Sequence, residues 1–295
     1  MKLNPLWITG FVDGGKCFKL EASPPCFTCR VDRRSADVAY AIKKFFGCGR
    51  VRPSGDSLEY VESNPQHLEK YLLPFFSRYP LLTEQRNSFL EFARGIYGGD
   101  ASEMQPSEMQ PSEMQPSEMQ GSETSSRQPL ATTPRPSPDW FRGMVDAQAH
   151  FSLERRGDTY HPVFLLPVGG DGALANDIHS LMRCGVRSPL EGFHPNAALE
   201  ELKPGRVHLI RVSSLVDLEE KLFPFFETRG SKVLLRTIKR IAYQKFRRIV
   251  RIRLQGRGES ERGGERHERL IVDLNKINNL SGDSSTQRWG APPHL

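Results

Sequence analysis

The chain carries the same sequence pattern twice in the same order, and this duplication restricts its fold more than any other feature. Residues 7–13 (WITGFVD) match residues 140–146 (WFRGMVD), and residues 68–76 (LEKYLLPFF) match residues 218–226 (LEEKLFPFF). A third pair, residues 45–49 and 181–185, ends in Cys-Gly in both copies. Several matches in the same order indicate an internal duplication, so we predict two related halves.

A low-complexity segment separates the two copies. The unit Ser-Glu-Met-Gln-Pro recurs between residues 102 and 120, and a stretch rich in Ser, Thr and Pro follows it. Proline at this spacing prevents both a continuous helix and a sheet ladder. We therefore predict a first half at residues 1–97, a disordered linker at 98–138, a second half at 139–280 and a tail at 281–295.

Each half shows the same predicted order of a helix, two strands, a helix, two strands and closing helices. The first half has these elements at 6–14, 17–22, 26–33, 36–46, 50–53, 58–63, 65–76 and 83–97. The second half has them at 139–147, 151–155, 160–168, 172–184, 186–191, 207–213, 214–226 and 232–250, with a last helix near 268–280. The second helix of each half is predicted to end at a glycine. This order predicts an α+β fold with helices on one face of each antiparallel sheet.

Small residues recur at helical spacing in both copies of the first motif. Gly10 and Gly14 are four residues apart, as are Gly143 and Ala147. Four residues make about one helical turn, so each pair lies on one face and permits the close approach of another helix. For a single pair, a tight turn or ordinary core packing would be the simpler interpretation. Because the pattern occurs twice, we predict that the two helices pack together about a pseudo-twofold axis.

The net charge of +6 understates the basic character of the two halves, because the linker is acidic. The arginines of the first half cluster around its predicted strands, at Arg30, Arg33, Arg34, Arg50 and Arg52. Guanidinium groups on a strand face can bind guanine edges or phosphates. A solvated strand face explains any one of them equally well. We predict that the set contacts nucleic acid.

The strongest charge signal is a run of eleven basic residues without an acid, between residues 229 and 257. Its members are Arg229, Lys232, Arg236, Lys239, Arg240, Lys245, Arg247, Arg248, Arg251, Arg253 and Arg257. Apolar residues interleave at near-helical spacing, which indicates a helix with a buried stripe and a basic face. Such a run repels itself unless a polyanion neutralises it, so we predict contacts with a phosphate backbone. A helix lying on a membrane surface is the weaker alternative, because the core explains the stripe.

The two motif segments, WITGFVDGGKCF and WFRGMVDAQAHF, resemble the signature segments of the LAGLIDADG homing endonucleases. The two LxxxLxPFF segments, and the YPLLT that follows the first, are also similar to that family. The resemblance covers nearly all of the chain except the linker and the tail. It implies two pseudo-symmetric αββαββα halves, with the motif helices packed at the centre and a saddle of two four-stranded sheets over DNA.

The resemblance also implies one metal-binding acid at the eighth position of each motif, with Mg²⁺ as the cofactor of an active enzyme. These catalytic positions carry Gly15 and Gln148 here, and neither residue supplies a carboxylate. Asp13 and Asp146 lie two residues earlier, about 200° around a helix, and are predicted to point away. Glu21 and Glu154 belong to the following strand, and Lys16 is a cation. No metal ligand is assigned, and ordinary two-metal cleavage is predicted to be impaired or lost.

Other classes of site have little support. Cys26 and Cys29 form a lone pair of cysteines without a second pair at zinc spacing, and Cys48 and Cys184 are predicted to be small core residues. His150 follows the second motif without a partner at metal-binding spacing. An odd number of cysteines and the lack of a signal peptide indicate free thiols in a reducing compartment. No apolar run is long enough to span a bilayer.

We therefore predict a monomer that binds double-stranded DNA at selected sites, with phosphodiester cleavage impaired or lost. The alternative is an RNA-binding protein, either an intron maturase or a structural protein of an organellar particle. A third interpretation is a decaying reading frame whose product does not fold. The motif helix begins close to Met1. We accordingly expect no transit peptide, and an organellar location with the gene in the organelle.

Overall fold

The computed structural model describes residues 2–15, 17–20, 22, 24–97, 134–157, 159–170, 172–189, 207–228, 232–256 and 261–280. In the last range, side chains are described for residues 268–278. Most of the predicted linker and the whole tail lie outside these ranges, as do Lys16, Glu21, Arg229 and Arg257.

The first half begins with the motif helix and contains four strands. Its elements are α1 (Pro5–Asp13), β1 (Phe18–Lys19), β2 (Cys26–Asp32), a 3-10 turn (Arg33–Ser35), α2 (Ala36–Phe46), β3 (Arg50–Ser54), β4 (Ser57–Glu62), α3 (Pro65–His67), a π-helical turn (Leu68–Leu72), α4 (Leu73–Arg78) and α5 (Gln85–Ile96). Asn4 accepts a hydrogen bond from the backbone N–H of Leu6 and so starts α1, where Pro5 needs no partner for its nitrogen.

The second half repeats this order. Its elements are α6 (Pro138–Gln148), β5 (His150–Arg156), β6 (Thr159–Gly169), α7 (Ala173–Met182), β7 (Val186–Pro189), β8 (Val207–Val212), α8 (Leu215–Asp217), a π-helical turn (Leu218–Leu222), a 3-10 turn (Phe223–Phe225), α9 (Lys239–Leu254) and α10 (Glu261–Leu280). Ser137 accepts a hydrogen bond from the N–H of Trp140 at the start of α6, the position that Asn4 has in α1.

Each half contains one four-stranded antiparallel sheet. The strand orders are β1-β2-β4-β3 and β5-β6-β8-β7. One face of each sheet packs against helices through large aromatic side chains, including Phe27 and Phe76 in the first half and Phe151 and Phe226 in the second. The prediction of an α+β fold with two antiparallel sheets is confirmed. In the described part of the chain, every helix is too short or too polar to cross a membrane.

Four predicted boundaries were wrong. The last helix, predicted near 268–280, begins seven residues earlier, at Glu261. The first strand is much shorter than 17–22, because Pro24 and Pro25 cannot donate to a ladder at this end of the hairpin. The helix predicted from 232 begins only at Lys239, after an isolated bridge between Glu227 and Val233. Helix α2 does end at a glycine, whereas α7 ends at Arg183, which adopts the left-handed conformation with φ 54°.

Candidate nucleic-acid interface

The two motif helices, α1 and α6, pack against each other at the small residues of the motif. A Cβ at Gly10 would lie 1.9 Å from the carbonyl oxygen of Trp140, and a Cβ at Gly143 would lie 2.0 Å from that of Trp7. A Cβ at Gly14 would lie 2.6 Å from the Cβ of Ala147. Glycine is therefore required at these three positions for the helix backbones to approach so closely.

The motif aspartates link the two helices through hydrogen bonds. The Asp13 carboxylate accepts a hydrogen bond from Trp140 Nε1 at 2.7 Å, and the Asp146 carboxylate accepts one from Trp7 Nε1 at 2.9 Å. Each aspartate also accepts hydrogen bonds from two backbone N–H groups and one threonine hydroxyl at the start of a later helix. The donors to Asp13 belong to Leu82 and Thr83, and the donors to Asp146 belong to Arg236 and Thr237. Burial raises the pKa of both carboxyl groups, although these donors oppose the shift. Both carboxylates are therefore held by several hydrogen bonds within the fold.

The eighth motif positions lie at the carboxyl ends of the two helices. Gly15 has no side chain, and Gln148 Nε2 donates to the carbonyl oxygen of Pro167 at 2.6 Å. A cavity of about 190 Å³ adjoins Gly15, and Arg30, Asp32 and Lys239 contribute to its lining. Asp146 also lines this cavity, but Trp7, Arg236 and Thr237 already donate hydrogen bonds to its carboxylate. Among the residues described here, the helix ends therefore offer no free pair of carboxylates that could hold divalent ions. These residues do not fit the two-acid metal site that the motif implies.

Asp32 is a carboxylate at this cavity that no pattern in the sequence indicated. Its two oxygens accept hydrogen bonds from the Arg34 guanidinium at 2.9 and 2.8 Å, and they hold the first turn after β2. The pairing with Arg34 lowers the pKa of Asp32, so the group is ionised and neutralised by its neighbour.

Arg30, Arg50 and Arg52 share one face of the first sheet, which we call the outer face of that sheet. Residues that alternate with Arg30 on β2, such as Cys29 and Val31, belong to the core on the opposite face. Both Arg30 and Arg52 lie opposite Glu59 in the strand register. Arg33 lies in the turn after β2, as does the Arg34 that pairs with Asp32.

The outer face of the first sheet has an acidic centre. Glu59 is 4% exposed and forms ion pairs with Lys19 at 2.7 Å and with Arg52 at 2.9 Å. Arg30 donates to Ser54 Oγ at 2.8 Å. Neither Lys19 nor Glu59 was predicted, although the alternation of β4 would have placed Glu59 beside the arginines. The surface is therefore cationic at its rim, and one buried acid, Glu59, fixes the positions of the Lys19 and Arg52 side chains.

The corresponding face of the second sheet has a similar centre around Glu154. Arg211 Nε donates to Glu154 at 3.0 Å, and Arg156 pairs with the same carboxylate at 3.4 Å. Arg211 was not predicted. Glu154 is thus occupied by arginines and does not approach the helix ends as a replacement acid.

Three members of the basic run form ion pairs with acids of the same half. Lys245 pairs with Asp273 at 2.6 Å and Arg247 with Glu227 at 2.6 Å, while Arg251 Nε donates to Glu219 at 2.8 Å. These three cations do not need a polyanion to neutralise them, and their acids lie outside the basic run in the sequence. The predicted phosphate contacts of the other members stay a prediction. Arg240 and Arg248 are exposed on α9 and Lys232 on the segment before it.

The middle of α9 packs against the helix-covered side of the second sheet. Tyr243 and Phe246 pack against Phe151 from the helix-covered side of the sheet. Arg236 lies before α9, where its guanidinium stacks over the Trp7 ring at 5.6 Å. Lys239 is the member of the run that lines the cavity beside Gly15. Arg253 lies in the last turn of α9 and lowers the pKa of His161 after the larger effect of desolvation.

The first half of the chain is similar to a known protein family. Residues 8–95 match a family model described as LAGLIDADG endonuclease. A comparison with curated proteins gave no match.

Solved structures resemble the chain across both halves. A structure of the I-SmaMI LAGLIDADG homing endonuclease bound to cleaved DNA is 21% identical with a TM-score of 0.68, covering 94% of this chain and 98% of its own. I-SmaMI bound to uncleaved DNA with calcium ions is 18% identical with a TM-score of 0.63, covering 93% and 99%. The LAGLIDADG homing endonuclease I-GzeII in complex with its DNA target is 17% identical with a TM-score of 0.66, covering 92% and 97%. At these identities the likeness establishes the fold.

Proposed function

We propose that the chain is a LAGLIDADG homing-endonuclease-like protein that binds double-stranded DNA at selected sites. Residues 8–95 match the LAGLIDADG endonuclease family model, and both halves have the fold of LAGLIDADG homing endonucleases that were solved with DNA. We further propose that its capacity to hydrolyse phosphodiester bonds is impaired or lost.

The proposal of DNA binding rests on the arginines at the outer face of the first sheet. A two-stranded antiparallel ribbon fits the major groove, and the side chains on one face of the ribbon reach base edges together. Strands β2 and β3 lie on either side of β4, and they place Arg30, Arg50 and Arg52 on one face of the sheet. Arginine presents a planar fork of donors that matches guanine edges and phosphates, and Glu59 holds the Arg52 fork in place.

The chemistry at the helix ends supports the loss of cleavage. Enzymes of this family use divalent metal ions, which prefer carboxylate oxygens. Gly15 offers no ligand, and the Gln148 amide is neutral and donates to a backbone carbonyl. Asp32 adjoins the same cavity but is paired with Arg34. The residues present can position a phosphate, whereas none of them replaces the missing pair of acids.

A restoration experiment tests the loss of cleavage. A duplex is first selected for binding from a randomised DNA library, and then nicking of that duplex with Mg²⁺ is compared between the wild type and a Gly15→Asp/Gln148→Glu double variant. The backbone at Gly15 is not left-handed, and a Cβ there would lie 3.2 Å from Cys17 Sγ, so a side chain fits with a small shift. We expect no cutting by the wild type and cutting by the variant. Cutting by the wild type at the rate of the variant would overturn the proposal.

A competition experiment tests the choice of partner. The selected DNA duplex competes with a structured intron RNA for the full-length protein at several salt concentrations. We expect the duplex to bind more tightly, with an affinity that falls steeply as salt rises. Preferential binding of the RNA would replace the DNA proposal with the RNA-binding alternative.

A further inference from the structure

Three side chains of different chemistry converge on the helix-covered side of the first sheet, away from its outer face. They are the Cys48 thiol after α2, the Glu62 carboxylate at the end of β4 and the His67 ring at the end of α3. The sulfur, a carboxylate oxygen and a ring nitrogen all lie within 4.8 Å of one another.

The surrounding contacts fix the orientation of the carboxylate. Glu62 Oε1 accepts hydrogen bonds from the backbone N–H groups of Ser63 at 2.9 Å and Asn64 at 2.8 Å. The other oxygen lies 3.1 Å from His67 Nδ1. Cys48 and Glu62 are buried, whereas 42% of the His67 side chain is exposed. The cluster is therefore preorganised on its inner side and accessible from solvent at the histidine.

The second half shows that the fold does not need this cluster. Cys184 occupies the position of Cys48, but Val212 ends β8 where Glu62 ends β4, and Asp217 ends α8 where His67 ends α3. The start of α8 is capped by Ser214 alone, through a hydrogen bond from the N–H of Asp217. Burying a charged carboxylate costs free energy unless it is compensated. In the first half two backbone N–H groups and His67 compensate this cost, at a position where the second half has valine.

We propose that Cys48, Glu62 and His67 bind a zinc ion through one sulfur, one oxygen and one nitrogen, with a fourth position open to solvent. Zinc accepts this mixture of ligands, whereas magnesium requires oxygen ligands alone. Tetrahedral zinc with bonds of about 2.0–2.3 Å places its ligand atoms roughly 3.3–3.8 Å apart, so the three groups need to move inward only slightly. Thiolate and carboxylate together balance the charge of the ion.

Binding releases the thiol proton of Cys48 to solvent as the sulfur–zinc bond forms. Burial raises the pKa of Cys48 to about 11, and the nearby Glu62 adds to this shift, so the group is a thiol until an ion arrives. The bound ion would fix the end of α2, the end of β4 and α3 relative to one another. Its role would be structural, and it would lie on the side of the sheet opposite Arg30 and Glu59.

Cobalt absorption tests the site in the full-length protein. Metal-free protein is titrated with Co²⁺, whose thiolate complexes absorb in the near ultraviolet and whose tetrahedral complexes absorb strongly in the visible range. We expect one Co²⁺ per chain with both signals, and displacement by Zn²⁺. His67→Gln should weaken binding by more than about tenfold, since even outer-shell partners contribute that much. The half-exposed position of His67 keeps this variant foldable, which circular dichroism would verify.

Two matched controls separate this site from the other cysteines. Cys184→Ser removes the counterpart in the second half, and Cys29→Ser disrupts the thiol pair in which Cys29 Sγ lies 3.8 Å from Cys17 Sγ. Both variants should retain the cobalt signals. Wild-type protein without a thiolate signal, an equal signal in His67→Gln, or a signal lost in Cys29→Ser would each overturn the zinc site. None of these readouts depends on DNA binding, so the zinc proposal and the proposed function can fail separately.

Discussion

Gly10 and Gly143 set the separation of the two central helices. At each position a backbone carbonyl oxygen of the opposite motif helix lies against the glycine, and this oxygen cannot move unless its whole helix moves. A flexible side chain could yield at such a contact, but backbone atoms do not. The role of these glycines follows from the lack of a Cβ, and not from any freedom of their own backbone.

Gly143→Ala is expected to destabilise the protein by about 2–3 kcal/mol, because the new methyl group overlaps the Trp7 carbonyl oxygen. Chemical denaturation monitored by circular dichroism measures this change in the free energy of unfolding.

Gly95→Ala is the matched control for that experiment. Gly95 also lies in a helix, but its added Cβ would meet only Pro25 at 3.9 Å. Alanine has the higher helix propensity, so we expect this variant to be stabilised by about 0.5–1 kcal/mol. Equal stability of the two variants would show that the helices do not pack as described.

Local sequence patterns predicted where the cations of the strands and helices lie, but not which acids pair with them. The sequence predicted that the arginines near β2 and β3 contact nucleic acid as a set, whereas the pairing of both strands with β4 shows that Arg30 and Arg52 share one face. Helical spacing likewise predicted the buried stripe of α9. The neutralising acids were not predicted, since Glu219 and Asp273 lie on other elements and reach α9 only after packing.

Arg30→Ala and Arg251→Ala are expected to affect different properties. Arg30 lies on the outer face of the first sheet, so its loss should weaken DNA binding and reduce the slope of log affinity against log salt by about 1. Arg251 pairs with Glu219, so its loss should leave that slope unchanged and lower stability instead. Salt-dependent gel shifts and thermal unfolding measure the two effects. A salt slope that falls only in Arg251→Ala would move the DNA contact to α9.

The two halves are joined by polar bonds between residues far apart in the sequence. Asp13 binds Trp140, Asp146 binds Trp7, and the N–H of Ile238 donates to Ser35 Oγ at 2.8 Å. Each bond has one partner in each half. Because the motif helices also pack directly, the halves are expected to unfold in one cooperative transition.

Trp140→Phe keeps an aromatic ring and removes the Nε1 donor to Asp13. The N–H of Leu82 still donates to the same Asp13 oxygen, and loss of the second hydrogen bond to this buried carboxylate should lower stability by about 1–3 kcal/mol. Tyr40→Phe, at a side chain that is 56% exposed, should change stability little. Fluorescence and circular dichroism record the unfolding of both variants. Two separate transitions in the wild type would contradict the coupling of the halves.

The sequence by itself determined the repeated motifs, the order of elements and the small residues of the motif helices, and it supplied the hypothesis that the motif acids are replaced by Gly15 and Gln148. These are properties of single positions or of local periodicity, which do not depend on how distant segments meet. The tertiary structure alone decided which acids neutralise which cations, where α9 begins, and that Asp13 and Asp146 bind across to the opposite tryptophans. It also brought together Cys48, Glu62 and His67, which no spacing in the sequence indicated. Such contacts join residues far apart along the chain, so they are fixed only when the sheets and helices pack.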